Sequence, residues 1–408
     1  MNKKKIINDP VLGFISINSD LILKLIDHPY LQRLRRIKQL GLTEFVYPSA
    51  VHTRFHHALG SMHLMGLTLD SLRSKGIKIT DSEYEAALIA ILLHDIGHGP
   101  LSHTLEHSLL EGVEHEMITI LIMQKLDSEF GGKLKLAIRI FKGEYERIFF
   151  HQLVAGHFDI DRMDYLKRDS FYTGVSEGNV GVIRIIHMLN VQDDALVVDE
   201  KGIYNIENFL IARRFMYWQV YLHKTTVAAE KIMENLLARA RSLFKDDSSL
   251  FAPVALKPFL SKKISSKDFQ EDNSVLMNFL NLDDSDIWEA LKNWKSSSDK
   301  ILSDLSIRIL NRNLFSIEMS GVPFETDQIE NILKKISEFY EISKEDSCYY
   351  LSHGILFNSA YGGHYGPIQV LTKNGLIHLE DLSEVPAISE LSKIVRKYYL
   401  CYPKNVSL

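Results

Sequence analysis

Nine of the seventeen histidines fall between His52 and His115, a density that scattered core or surface roles would not produce. Within that stretch, Ala86 to Asp95 reads as an apolar helix running into His94-Asp95-Ile96-Gly97-His98-Gly99-Pro100. The glycines and the proline stop regular helix there and leave polar side chains at a rim. His94 and His98, four apart, share a face, and Asp95 projects about 100° away, so another segment must complete any metal shell. Two segments offer partners: Arg54-Phe55-His56-His57 at a helix start, and Asp159-Ile160-Asp161-Arg162-Met163-Asp164-Tyr165. His57, His94, Asp95 and Asp161 make a mixed nitrogen and oxygen set that suits Mn, Fe, Zn or Ni, with Mg also admissible and coordination left open for water and phosphate. Taken singly, a His-Asp pair or a His56-His57 pair is more often a cap or a packed side chain. The ordered set carries the argument.

The rest of the composition narrows the chemistry. Cys348 and Cys401 are the only cysteines, so one chain can build neither a disulfide framework nor a thiolate zinc cluster. A net charge of -5 argues against a generic nucleic-acid-coating protein while leaving room for a local basic pocket. Lys3-Lys4-Lys5 is followed by Asn8-Asp9-Pro10 rather than an apolar core, so no signal peptide is expected. The longest apolar run, Ala86 to Leu93, falls far short of the roughly 20 residues of a membrane span. A cytoplasmic protein without a membrane partner is the expectation.

Helix-type periodicity must position these groups. Apolar residues recur at three- and four-residue steps around Leu21 to Leu40, Ala58 to Leu72, Ser82 to Asp95 and Phe209 to Phe244. On the last of these, Arg213, Tyr217, Tyr221 and Lys224 recur at steps of four, four and three, a single stripe suited to a cleft wall or to an interface. A β-hairpin is expected over Asp194 to Tyr204, about an Asp-Glu-Lys-Gly turn, and a second strand pair flanks Lys373-Asn374-Gly375. Val395 to Tyr402 suggests a further strand. The Ser- and Lys-rich stretch from Pro258 to Asn273 is the best candidate for a mobile connection.

Arg54-Phe55-His56-His57, the run Leu93-His-Asp-Ile-Gly-His-Gly-Pro-Leu-Ser-His103 and Asp161-Arg-Met-Asp-Tyr165 together resemble the HD superfamily, and within it the deoxynucleoside triphosphate triphosphohydrolases. The resemblance extends from Ile7-Asn-Asp-Pro10 through Leu31 to Leu40 and Tyr221-Leu-His-Lys224 to beyond Arg308 to Phe315, and is weak between about Phe244 and Leu282. It is nearest to the branch whose vertebrate member carries a SAM domain, with no such leading domain expected here. The implied fold is mainly α: an HD helical core over 1–245 with a small β-hairpin, a helical extension over 246–325 with a mobile start, and a small α+β region over 326–408.

The resemblance also implies an activity, hydrolysis of a dNTP to deoxynucleoside and inorganic triphosphate. An ion with open coordination lowers the pKa of a water and neutralises charge at phosphorus, and a histidine can protonate the leaving oxygen. His103 and His115 match the family's catalytic or phosphate-contacting histidines, and Glu106 stands where the family has Asp. Arg54, His98, Arg162 and Arg213 are implied substrate contacts, with arginine forks matched to phosphate oxygens. Tyr165, Asp169, Tyr221, Gln39 and Leu40 are implied contacts of the sugar and its missing 2′-hydroxyl. Leu222 stands where relatives have Gln, and His56 replaces an acidic residue beside a metal ligand. A second divalent ion on the phosphates is the other cofactor implied.

Lys5, Ile6, Asn8, Asp27, Gln32, Arg35 and Lys224 match residues that bind an activating guanine nucleotide between subunits in the vertebrate relative, which implies a homodimer or homotetramer. The same residues also read as helix-surface charges and a turn. Two rivals remain open: an HD phosphohydrolase of another nucleotide or phosphoester, and a nucleotide-sensing or nucleic-acid-binding module with little turnover.

Overall fold

The computed structural model describes residues 5–101, 108–246, 250–358, 366–383 and 394–406 of the 408. Local chemistry sets where helices begin. Ser19 caps Asp20–Asp27 by accepting from the Ile22 amide. Thr80 caps Asp81–Leu93, with Glu83 reaching back to the Thr80 amide to complete a capping box. Asp159 caps Ile160–Thr173, which closes on Gly174 in the left-handed region at φ 75°.

The helix Arg54–Ser74 and the helix Asp81–Leu93 pack against each other in the core. Ala86, Ala87 and Ile89 through Leu93 are all buried, as expected of a helix apolar on every side. That helix ends at Leu93, two residues before the expected Asp95, so His94 to His98 leave it as a turn instead of sharing a helical face. Thr119 braces this turn by donating to the His94 carbonyl at 3.0 Å and accepting from the Gly97 amide at 3.0 Å. A Cβ at Gly97 would collide with the His115 carbonyl, so only glycine allows this approach.

Two expected helices are broken. His28 is extended before Pro29, which splits the Leu21 to Leu40 segment into Asp20–Asp27, Pro29–Gln32 and a 3₁₀ turn Arg33–Arg36. The Phe209 to Phe244 segment becomes Ile203–Met216, a π turn Tyr217–Tyr221 and a new helix Lys224–Asp246.

Eleven strands are found among the described residues. β1 (Lys5–Asp9) and β2 (Gly13–Ile17) form an antiparallel hairpin. β3 (Leu110–Glu111) pairs in parallel with β6 (Ile264–Ser265). β4 (Leu189–Gln192) and β5 (Ala195–Asp199) form the middle hairpin. It turns on Asp193 and Asp194, both at positive φ, and Ile203 begins a helix, so the hairpin lies earlier than the Asp194 to Tyr204 expected. β9 (Gln369–Thr372) and β10 (Gly375–His378) match the expected late pair, and β9 also pairs in parallel with β5. β7 (Ser316–Ser320), β11 (Val395–Tyr402) and β8 (Ser352–Asn358) make a three-stranded sheet with β11 central.

The Pro258 to Asn273 stretch is structured, not a mobile connection. It contains the helices Lys257–Ser261 and Ser266–Glu271 as well as β6, anchored by the buried side chains of Phe259, Leu260, Ile264 and Phe269. Four apolar anchors among polar neighbours were too sparse for the composition to show. The buried apolar residues form one continuous cluster running from Ile15 to Val406, and the histidine-rich turn sits on it.

Candidate metal centre and its cleft

His57 lies in the first turn of the Arg54–Ser74 helix, His94 follows Leu93, and Asp161 lies in the first turn of the Ile160–Thr173 helix. His57 Nε2 is 3.0 Å from Asp161 Oδ1 and 3.2 Å from His94 Nε2, and His94 Nε2 is 3.4 Å from the same Asp161 oxygen. The other ring nitrogens fix both tautomers. His57 Nδ1 donates to Asp164 Oδ2 at 2.8 Å, and His94 Nδ1 donates to the Ile91 carbonyl at 2.6 Å. Both Nε2 atoms therefore turn lone pairs toward one point beside a carboxylate. Two facing lone pairs repel unless a cation sits between them, so this donor set fits a divalent metal ion, and the carbonyl and carboxylate behind the rings are the usual outer partners of metal-bound histidine. Without an ion, burial alone would lower His57, but Asp161 and Asp164 overcome it and lift the ring to about 10, so that a bound cation would take the place of the Nε2 proton. Against the cost of burial, His57 and His94 hold the Asp161 carboxyl well below the usual range.

Asp95 stands between this trio and a second group. Its Oδ1 is 3.4 Å from His94 Nε2 and 3.3 Å from His98 Nε2, while Oδ2 is paired with Arg54 and lies 3.8 Å from His57 Nε2. Asp95, His98 and His115 form a second cluster of metal-capable ligands. The His98 and His115 rings stack at 3.7 Å. Burial and the neighbouring Arg54 push His98 down to about 4, opposite to His57.

A cleft of about 740 Å³ opens from these clusters, a size suited to a small-molecule ligand. Arg54, Asp95, His98, His115, Asp161 and Arg162 line one part of it, Tyr165, Asp169, Tyr221, Gln39 and Leu40 another. The Tyr221 hydroxyl donates to Asp169 Oδ2 at 2.8 Å, and His52 Nε2 meets Asp169 Oδ1 at 2.8 Å. Arg162 is held at its helix start by Asp159 and the Gly156 carbonyl. Gln39 carries a buried side-chain oxygen without a hydrogen-bond partner among the described residues.

The expected single stripe is not intact. Tyr217 and Tyr221 face the cleft, but Arg213 and Lys224 are absent from its wall. The π turn Tyr217–Tyr221 carries more residues per turn than an α-helix and shifts Lys224 relative to the stripe, whereas Arg213 stays one regular helical turn before Tyr217. The Arg213 guanidinium lies 5.7 Å from the Tyr217 ring centre, and Lys224 is exposed at the start of its helix. His56 does not enter the metal centre. Its Nδ1 accepts from the Thr53 amide at 3.1 Å and closes the helix cap. His103 and Glu106 lie outside the described residues.

The residues matched to an activator site are gathered on the β1–β2 hairpin and the segment 20–36, except for Lys224. Lys5 pairs with Asp27 at 3.4 Å, Arg35 donates to Gln32 at 2.8 Å and sits 3.7 Å over the Phe55 ring, and Ile6 and Asn8 are exposed.

Several site residues carry no role in the sequence reading. Asp164, inside the quoted motif, has one in the structure as the partner of His57, and its spacing of four from Arg168 was the available signal. His52 behind Asp169, and Ile355 and Leu356 of β8 on the cleft wall, had no local signal at all.

A family model described as the HD associated region matches residues 180–251. Protein YwfO of Bacillus subtilis is 33% identical, with 100% of this chain and 94% of YwfO covered. The deoxynucleoside triphosphate triphosphohydrolase SAMHD1 homolog of Dictyostelium discoideum is 31% identical over 68% of this chain, which spans 58% of that protein. The crystal structure of a phosphohydrolase from Bacteroides thetaiotaomicron superposes with a TM-score of 0.95 at 50% identity, covering 98% of this chain and 100% of that one. No helix among the described residues is long and apolar enough to cross a membrane. The chain belongs to the HD phosphohydrolase family, and its relatives there include deoxynucleoside triphosphate triphosphohydrolases of the SAMHD1 type.

Proposed function

We propose that the protein hydrolyses deoxynucleoside triphosphates to deoxynucleoside and inorganic triphosphate at a divalent metal held by His57, His94, Asp95 and Asp161. The observation that carries this reading is the continuity of the cleft. It runs from Asp95 and Asp161, which lie against the two histidines, past Arg54 and Arg162, to the hydrogen-bonded Tyr221–Asp169 pair. The order is cationic and metal-binding groups for phosphate, then aromatic and acidic groups for a sugar.

A bound divalent ion supplies charge neutralisation at the phosphates and an activated water. In the overall reaction a water oxygen bonds to the α-phosphorus, the bond from that phosphorus to O5′ breaks, and O5′ takes a proton. His115, on the cleft wall beside His98, is the described residue placed to hold that proton, in company with His103 and Glu106 from the family pattern. Arg54 and Arg162 hold phosphate oxygens with planar forks, and a second divalent ion, if it entered with the substrate, would add charge neutralisation there. Tyr221, fixed by Asp169, crowds the sugar's 2′ edge with Gln39 and Leu40, while Tyr165 and Asp169 serve its 3′ edge.

The same reading includes a guanine-nucleotide activator at Lys5, Ile6, Asn8, Asp27, Gln32 and Arg35, and assembly into dimers or tetramers. Lys224, exposed at the start of its own helix and apart from the hairpin group, joins that site from a neighbouring copy. The test is incubation of Mn-loaded protein with each dNTP, with and without GTP, while nucleoside, nucleotide, triphosphate and pyrophosphate are resolved. Deoxynucleoside with intact triphosphate is the expected result, and stimulation by GTP supports the activator site. Monophosphate with pyrophosphate, or turnover of other phosphoesters alone, would overturn the dNTP reading while leaving the metal centre in place.

A further inference from the structure

A run of buried charges leads from the N-terminal hairpin to the candidate metal centre. Arg168, fully buried, lies one turn beyond Asp164 on the Ile160–Thr173 helix. Its Nε and Nη2 donate to both oxygens of Asp164 at 2.8 and 2.9 Å, and its Nη1 donates to Asp9 Oδ2 at 2.8 Å. Asp164 Oδ2 in turn accepts from His57 Nδ1 at 2.8 Å. One guanidinium thus bridges the last residue of β1 to the carboxylate behind a metal ligand. The Arg54–Ser74 helix makes room at Gly60, where a Cβ would collide with Arg168 Nη2 and Asp164 Oδ1.

Asp9 divides its two oxygens between two duties. Oδ1 accepts from the Val11 and Leu12 amides at 2.9 and 2.8 Å and shapes the hairpin turn, whereas Oδ2 accepts from Arg168. The second duty bears on the metal. A carboxylate behind a metal-bound imidazole orients the ring and raises its basicity, and such partners typically matter 10- to 100-fold in metal affinity. Arg168 drains charge from Asp164. By taking part of that guanidinium's charge, Asp9 leaves Asp164 a stronger partner for the His57 N–H.

We infer that Asp9 is a positioning residue of the metal centre, acting on His57 through Arg168 and Asp164, so that the seating of the β1–β2 hairpin sets how tightly the ion is held. The inference rests on the metal reading of the preceding section. Buried ion pairs are poor evidence for stability by themselves, and a purely structural role predicts a different result.

The test is Mn²⁺ binding to the full chain by calorimetry, together with thermal unfolding, for Asp9→Asn, Asp164→Asn and the double variant. Asn keeps an acceptor oxygen for the turn amides and presents an NH₂ group to Arg168. Asp9→Asn should weaken Mn²⁺ binding about 10-fold, Asp164→Asn by more, and the double variant no further than Asp164→Asn alone, because both act on one chain of contacts. Arg168→Lys keeps a cation but cannot span both carboxylates, and should match Asp9→Asn, which gives a second route if the latter does not fold. Unchanged Mn²⁺ affinity in folded Asp9→Asn or Arg168→Lys, or losses that multiply in the double variant, would overturn the inference. Failure of the wild-type chain to bind Mn²⁺ would overturn the metal reading and this inference with it.

Discussion

Two histidine clusters share one turn of chain and differ in nearly every electrostatic respect. His57 and His94 are backed by a carboxylate and a carbonyl, face Asp161, and project lone pairs to a common point. His98 and His115 are stacked on each other, and Arg54 lies close enough to help push His98 down to about 4. The same residue type is thus set up as a metal-capable donor in one place and as a ring with depressed basicity on a cleft wall in the other. What stands behind each ring makes the difference, and Asp95, which touches both groups, is the seam between them.

Replacing a member of the first cluster should cost most. His57→Ala or Asp161→Asn is expected to lose the bound ion and to lower turnover by on the order of 10³-fold or more, read from metal content and product release together. Retention of full metal content would erase the distinction between the clusters. The second cluster should behave otherwise: His115→Asn is expected to leave metal content unchanged and to lower kcat about 10²-fold, as loss of a proton donor does. A smaller effect is expected at the far part of the cleft. Tyr221→Phe removes the bond to Asp169 and should raise the relative kcat/KM for a ribonucleotide about 10-fold, measured by competition between ATP and dATP.

The smallest effect on activity should come from outside both clusters. Glu83 is buried, which by itself would raise its carboxyl, but the Thr80 amide, Arg147 and Tyr145 reverse this and hold it at about 2. Its contribution to stability is therefore complete above the unfolded carboxylate pKa of about 4.3 and is lost as pH falls through that value toward 2. Glu83→Gln should destabilise the fold by about 1–3 kcal/mol at pH 7. The gap in unfolding temperature from wild type should shrink between pH 5 and pH 2, with activity at 25 °C unaffected.

The contrast also explains what could be read from the residues alone. The meeting of His57, His94 and Asp161, with Asp95 beside them, was legible because a metal-capable site needs particular residue types in an ordered set, and the glycines and proline after His94 marked a rim. The long helices were legible from period, yet Pro29 and the π turn at Tyr217–Tyr221 broke two of them. That second break shifted Lys224 off the face that an ideal helix would have given it. Ile355 and Leu356 enter the cleft from β8, and Asp284 accepts from the Lys38 and Leu101 amides beneath it. Such contacts join positions more than 180 residues apart in the second case, and no local pattern announces them.

The four-stranded sheet has a consequence for how the chain is made. β5 is complete on one side as soon as β4 precedes it, but its other edge waits for β9, some 170 residues later. During synthesis the middle hairpin emerges with a row of unpaired backbone groups, the arrangement that invites pairing with another chain. A full-length chain in which Val370→Pro and Leu371→Pro break the β9 pairing with β5 should therefore accumulate as aggregate more than the wild-type chain, since a late segment is what closes the sheet begun in the middle of the molecule.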